Sequence, residues 1–149
     1  SEMCIRDRFI GHHLLKSVRQ KGWQMTSVSL SPPTEERFVD CVRYLRFDMT
    51  DQTLVKKNLS DDFDYVVNLG GYINHKLFLN GGRSLIETHF TALQNLLEVI
   101  PRGKLKRFVQ IGSSDEYGNA SAPQHETLRE QPISPYSLGK VASTHFLQI

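Results

Sequence analysis

Blocks of apolar residues recur along this chain at spacings that predict strands and helices in turn. The most continuous block, residues 65–69, is typical of a strand buried on both faces of a parallel sheet. Apolar residues at helical spacing between Leu85 and Ile100 predict the clearest amphipathic helix. The same patterns predict strands over 25–30, 43–47 and 107–111, and helices over 9–21, over 52–59 and from Pro135 onward. This alternation favours an α/β fold in which helices cover an open parallel sheet.

The two ends of the chain do not complete this pattern. Residues 1–8 (SEMCIRDR) show no strand pattern, so we expect a non-native leader there and no first strand before the helix at Phe9. The sequence stops within the helix that carries Tyr136. We therefore expect residues 9–149 to form an incomplete domain that lacks its first strand and its C-terminal part.

The composition limits which kinds of binding partner and which cellular compartment the chain is expected to have. The net charge of +2 is too small to imply a nucleic-acid or membrane partner. Two cysteines make neither a disulfide framework nor a metal-binding spacing, and the adjacent His12 and His13 cannot face one metal ion from a helix. No apolar run is long enough to span a membrane. These features predict a cytoplasmic protein without a metal site.

The segment around Tyr136 is the strongest candidate for chemistry. Pro135 suits the first position of a helix, so Tyr136 and Lys140 are expected at i and i+4 on one helix face. A lysine cation beside a phenol favours the phenolate, and such a phenol can exchange a proton with a substrate hydroxyl near neutral pH. By itself this spacing is a weak signal, because many solvated helices contain it by chance.

Polar and glycine residues follow three predicted strands at their carboxyl ends, where open parallel sheets bind ligands. Gly70 and Gly71 would let a ligand approach the backbone, or they form a turn without a ligand. Asp48 either bonds an adenine amino group or caps the following helix. Ser113 could orient a substrate oxygen for Tyr136, although an isolated serine there is more often a plain turn residue. The neighbouring carboxylates, Asp115 and Glu116, are possible general acids or bases.

Five segments together carry a resemblance to a known family. They are residues 9–11 (FIG), 48–51 (DMTD), 68–71 (NLGG), 107–118 (RFVQIGSSDEYG) and 134–140 (SPYSLGK). They resemble the extended short-chain dehydrogenase/reductases, the NAD-dependent nucleotide-sugar epimerases, dehydratases and reductases. The serine-rich segment is most similar to GDP-4-keto-6-deoxymannose reductases and nucleotide-sugar 4,6-dehydratases. The resemblance implies a partial Rossmann-like, doubly wound parallel sheet whose substrate domain is absent.

The resemblance also implies roles for individual residues. The catalytic set would be Ser113, Tyr136 and Lys140, with Asp115 at the place of an additional acid/base residue. The residues implied to bind the cofactor, NAD or NADP, are Gly11, Asp48, Met49, Leu69, Gly70, Gly71, Tyr136 and Lys140. The implied substrate is a nucleotide sugar, on which hydride and proton transfer occur at a sugar carbon, and the parent protein is expected to be a homodimer.

The chain departs from the family pattern at several positions. Ile5 and Arg8 stand where the first two glycines of the phosphate-binding turn belong, and His89 stands where the family usually has asparagine. An arginine side chain at the turn would obstruct the pyrophosphate. We therefore expect the chain by itself to be inactive. The alternative function is a non-catalytic, regulatory NAD(P)-binding protein of the same fold.

Overall fold

The computed structural model describes residues 2–5 and 9–149, which form two compact units. The first unit contains the described residues up to Leu69 together with Asn95–Ile111. The second contains Gly70–Gln94 and Gly112–Ile149. Within the part of the chain that is described, no helix is both long and apolar enough to cross a membrane.

The first unit is built on a five-stranded sheet whose paired strands are all parallel. The spatial order of the strands is β3-β2-β1-β4-β5, which is the doubly wound order that the family resemblance implies. Its elements are β1 (Glu2–Ile5), α1 (Phe9–Arg19), β2 (Gln24–Ser29), β3 (Val42–Arg46), α2 (Gln52–Asn58), β4 (Tyr65–Asn68) and β5 (Arg107–Gln110).

The second unit is helical. It contains α3 (Arg83–Ile86), a π-helical turn (Glu87–Thr91), the start of α4 (Ala92–Val99) and α5 (Pro135–Phe146), with 3₁₀ turns at Phe78–Asn80 and Ser114–Tyr117. The amphipathic helix predicted between Leu85 and Ile100 is therefore present, but a π-helical turn interrupts it. Apolar periodicity does not reveal such a turn, because it adds one residue without changing the apolar character of the helix.

The expectation that the first strand is missing is wrong. Residues Glu2–Ile5 form β1 at the centre of the sheet, where Met3 lies opposite Met25 of β2 and opposite Tyr65 of β4. The sequence signal failed because this strand is four residues long and carries a glutamate, and charged residues follow it. Hydrogen bonds to two neighbouring strands define β1, and a sequence window cannot show such long-range pairing.

Apolar residues are buried on both faces of the sheet. Val66 of β4 packs in one cluster with residues of α2 and α4, including Val55 and Leu96. Its neighbours Tyr65 and Val67 pack against a second cluster, which is built around Leu15 and three other residues. Because successive strand residues point to opposite faces, β4 is covered on both sides, as its continuous apolar run predicted.

Helix α2 begins at a side-chain cap, where Asp51 accepts a hydrogen bond from the backbone N–H of Leu54 at 3.1 Å. We expect Asp51→Ala to lower the free energy of unfolding by about 1 kcal/mol, because that N–H loses its partner. Urea denaturation of the chain measures the difference. Glu36→Ala, which removes another exposed acidic side chain, is the control and should change stability little. Equal losses in the two variants would contradict the role of the cap.

Candidate active site

Helix α5 begins at a reciprocal cap that fixes the position of Tyr136. The Oγ of Ser134 accepts a hydrogen bond from the Ser137 N–H at 3.1 Å, and the Ser134 N–H donates to the Ser137 Oγ at 3.0 Å. Pro135 occupies the first turn, as predicted from the sequence. Tyr136 and Lys140 are therefore one helical turn apart, and both are buried, with 4% and 5% of their surfaces exposed.

The Lys140 ammonium lies in a buried setting together with Glu116. Burial lowers the pKa of Lys140 below its ordinary value of 10.5, because the charged form loses hydration, and the Glu116 carboxylate partly opposes this shift. Glu116 is itself only 6% exposed. The pair is a positive and a negative charge held inside the second unit.

Glu116 connects the serine segment to α5. Its Oε1 accepts a hydrogen bond from the backbone N–H of Ser113 at 2.8 Å, and its Oε2 accepts one from the Thr144 Oγ1 at 2.9 Å. Because both oxygens are engaged within the protein, Glu116 anchors the site and is poorly placed for the acid/base role considered from the sequence. The Ser-x-x-Glu spacing from Ser113 is a capping-box signature, and it could have predicted this anchor.

Ser113 caps the 3₁₀ turn that begins at Ser114. Its Oγ accepts a hydrogen bond from the Asp115 N–H at 3.2 Å. A serine hydroxyl can accept one hydrogen bond and donate another, so this cap leaves the Ser113 proton available for a substrate oxygen. Ser113 is therefore both a turn serine and chemically competent for the predicted role.

Two histidines, His75 and His89, pack against Tyr136, and neither ring contact was predicted from the sequence. The rings of His89 and Tyr136 are 4.9 Å apart between centroids and nearly perpendicular, at 81°. The His75 ring lies 5.9 Å from the Tyr136 ring at 77°, and its Nε2 is 3.7 Å from the Asp115 Oδ2. The second unit thus brings Asp115 and Tyr136 to the same imidazole.

Gly71 is required for a reason internal to the protein. Its φ of +97° lies in the region that favours glycine, and a Cβ added there would collide with the His89 ring. The sequence pattern predicts that Gly70 and Gly71 either admit a ligand to the backbone or form a turn without one. At Gly71 the space is filled by the chain's own imidazole, and a cofactor contact of either glycine stays a prediction.

The remaining predicted cofactor residues belong to the first unit. Gly11 is buried in the first turn of α1. The Asp48 Oδ1 accepts hydrogen bonds from the Thr50 N–H at 2.9 Å and from the Thr50 hydroxyl at 2.8 Å, so Asp48 forms a turn and Asp51 is the helix cap. The Asn95 Nδ2 donates to the carbonyl oxygen of Met49 at 3.0 Å and thereby holds this turn. Asn95 was not predicted from the sequence.

The positions that depart from the glycine pattern are described only in part. Ile5 is the last residue of β1 and pairs with Ser27. Arg8 lies outside the described residues. Leu69 follows β4 and packs against the cluster around Leu15. A cleft of about 670 Å³ beside α2 and α4 contains none of the predicted site residues.

The lowered pKa of Lys140 predicts how stability depends on pH. Because the folded state binds this proton less tightly than the unfolded chain, the free energy of unfolding should rise with pH from the lowered pKa up to 10.5. In Lys140→Met this contribution is absent, so the difference in stability, wild type minus variant, should increase through that window. Denaturant titrations over a pH series measure it. A difference that falls with pH would contradict the burial of this charge.

A doubly wound parallel sheet of this strand order is typical of dinucleotide-binding domains. Residues 7–149 match the NAD dependent epimerase/dehydratase family, and the chain belongs to that family. The family resemblance inferred from the motifs is thereby confirmed. The expectation of a nicotinamide cofactor is confirmed at the level of the family.

Individual relatives agree with this assignment. A dTDP-glucose 4,6-dehydratase of Streptomyces niveus is 30% identical over 103 residues, which is 67% of this chain and 30% of that protein. The fold is similar to a UDP-galactose 4-epimerase, with a TM-score of 0.84 at 22% identity over 98% of this chain and 50% of that one. It is also similar to the UDP-glucuronic acid 4-epimerase of Bacillus cereus in complex with NAD, with a TM-score of 0.79 at 21% identity over 99% and 52% of the two chains. The chain thus spans about half the length of these structures.

Proposed function

We propose that the whole protein is an NAD(P)-dependent nucleotide-sugar epimerase, dehydratase or reductase, with its proton chemistry on α5. The observation that carries this proposal is the buried pair Tyr136 and Lys140, one helical turn apart, with the Glu116 carboxylate, which accepts a hydrogen bond from the Ser113 N–H, raising the pKa of Lys140 against the effect of burial. Burying an ammonium near a phenol costs hydration, and a merely binding surface has no use for that arrangement. The names of the relatives support a nucleotide sugar as the substrate class.

We assign each proposed catalytic side chain a role in proton transfer. The Tyr136 oxygen takes a proton from a sugar hydroxyl, or returns one, while the Lys140 charge favours the phenolate. The Ser113 hydroxyl donates a hydrogen bond to the same sugar oxygen and orients it. Asp115, which lies beside the His75 imidazole, supplies a second acid or base if the reaction eliminates water.

The doubly wound sheet and Gly11 are compatible with a nicotinamide dinucleotide, whereas Ile5 and Arg8 depart from the glycine pattern of the phosphate-binding turn. The strand order places a switch point beside β1, and Gly11 is buried in the first turn of α1. The bound cofactor supplies hydride acceptance and donation, and the protein supplies orientation and electrostatics. The residues proposed to hold it are Gly11, Asp48, Met49, Leu69, Gly70, Gly71, Tyr136 and Lys140.

The test is turnover of UDP- and dTDP-sugars by the whole protein with NAD or NADP, and separately with NADH or NADPH, followed by NMR of the products. An isomeric sugar indicates an epimerase, loss of water indicates a dehydratase, and consumption of reduced cofactor in equal amount to the sugar indicates a reductase. Turnover by any of these routes supports the proposal. Tight cofactor binding without turnover across the panel would replace it with the regulatory alternative. The cytoplasmic setting, the homodimer and the inactivity of the chain alone stay predictions.

A further inference from the structure

His89 lies at the point where three segments of the second unit meet. It is only 3% exposed and sits in the middle of the π-helical turn Glu87–Thr91. Two glycines leave room for its side chain. A Cβ at Gly71 would collide with the imidazole, and a Cβ at Gly139 would lie 3.2 Å from the His89 Cβ. The chain therefore keeps both neighbouring positions small around this side chain.

The contacts of His89 hold its ring from several directions. Its Nε2 lies 3.2 Å from the carbonyl oxygen of Tyr72, to which it donates when protonated. Its backbone carbonyl accepts a hydrogen bond from the Ser143 Oγ of α5 at 3.1 Å. A ring fixed by its own backbone, by the Tyr72 segment and by two glycines has little freedom to rotate.

This fixed ring faces the residue on which the proposed chemistry depends. The His89 and Tyr136 rings are 4.9 Å apart at 81°, an edge-to-face arrangement that aromatic rings favour. Tyr136 is 4% exposed, so its phenol cannot move far without displacing such neighbours. The orientation of the Tyr136 phenol therefore depends on the position of the His89 ring.

We propose that His89 is a positioning residue for Tyr136, and that its ring sets the angle at which the phenol oxygen meets the sugar hydroxyl. This inference rests on the proposed function. Small errors in such an angle cost rate more than binding, because proton transfer requires alignment that substrate binding does not. His89 thereby determines the speed of the proton step and leaves cofactor affinity unchanged.

The experiment compares three histidine variants. His89→Gln removes the ring, and His89→Phe keeps a ring while losing the Nε2 contact. His12→Gln is the matched control, because His12 is also buried, at 8% exposure, and its Nδ1 contacts a backbone carbonyl, that of Arg37, at 2.9 Å. Fluorotyrosine NMR of the chain follows the resonance of Tyr136, assigned by its absence in Tyr136→Phe. In the whole protein, kcat, KM and the solvent deuterium isotope effect on kcat are measured.

We expect His89→Gln to shift the Tyr136 resonance, to lower kcat about tenfold at nearly unchanged KM, and to raise the isotope effect. His89→Phe should keep kcat within about threefold of the wild type, and His12→Gln should leave the resonance and the isotope effect unchanged. If His89→Gln does not fold, His89→Phe still tests whether a ring at this position is sufficient to orient Tyr136. A shifted Tyr136 resonance and a tenfold loss of kcat in His89→Phe would overturn the role of the ring.

The failure of this inference is distinguishable from failure of the proposed function. An unmoved Tyr136 resonance in folded His89→Gln overturns the positioning role, whatever the activity. Turnover that survives in Tyr136→Phe overturns the assignment of Tyr136 as the acid/base. Loss of turnover in Tyr136→Phe with wild-type rates and isotope effect in His89→Gln overturns the positioning role alone.

Discussion

Tyr136→Phe is expected to lower kcat of the whole protein by about 10²–10⁴-fold, while NAD still binds through the other proposed cofactor residues. The phenylalanine ring can occupy the same buried place beside His89, so the packing of α5 is kept. Only the oxygen that carries the proton is lost, and general acid–base catalysis contributes rate factors of that size. Initial rates with the preferred nucleotide sugar give kcat, and calorimetric titration with NAD shows whether the cofactor still binds.

The matched control is Tyr44→Phe. Its phenol oxygen accepts a hydrogen bond from the Val39 N–H at 3.0 Å in the first unit, so this variant also removes one hydrogen-bonded, partly buried hydroxyl. Any loss in Tyr44→Phe reflects stability, and kcat of the folded protein should stay near that of the wild type. Full turnover in Tyr136→Phe would favour a different acid or base, and Asp115 would then be the first alternative to test.

Gly71→Ala is expected to cause the largest loss of stability among single substitutions considered for this chain, about 3 kcal/mol or more. Two costs combine at this position. Alanine is strained at a φ of +97°, and its methyl group would collide with the His89 ring, which the surrounding contacts prevent from moving away. The free energy of unfolding by urea or guanidinium measures the sum.

Two other glycines separate those costs. Gly22 has a φ of +68° with no heavy atom within 4 Å of an added Cβ, so Gly22→Ala carries the backbone strain alone. Gly103 has neither a positive φ nor a neighbour within 4 Å, and Gly103→Ala should be close to neutral. The predicted order of loss is Gly71, then Gly22, then Gly103. A loss at Gly71 no greater than that at Gly22 would show that the His89 ring moves aside easily.

Local sequence signals predicted much of this fold. The strands β2 to β5 and the helix start at Pro135 were predicted because apolar periodicity and the preference of proline for the first helical turn act within a few residues. β1 was not predicted, because its pairing partners are about 20 and 60 residues distant and its four residues include a charge. The π-helical turn was missed because it adds one residue to the helix without changing its apolar character.

Some residues of the candidate site could be predicted from the sequence, and others could not. Tyr136 and Lys140 share one helix, so their spacing in sequence was enough to predict their neighbourhood. His75 and His89 lie 61 and 47 positions before Tyr136 in the sequence, and only the folded second unit brings them to its ring. Glu116 could have been recognised from its capping-box spacing, whereas its second contact, to Thr144, depends on tertiary packing.

The most direct test of the central claim is whether the nucleotide sugar itself reduces the bound cofactor. The whole protein is loaded with NAD, each UDP- or dTDP-sugar is added, and the absorbance of reduced nicotinamide is followed in a stopped-flow instrument. The proposed function predicts that reduced nicotinamide forms in the wild type with the preferred sugar. In Tyr136→Phe, NAD should stay bound and oxidised. A reductase would instead oxidise bound NADH or NADPH when the sugar is added. Bound NAD that no sugar reduces, together with bound NADH and NADPH that no sugar oxidises, would contradict hydride transfer as the function of this site.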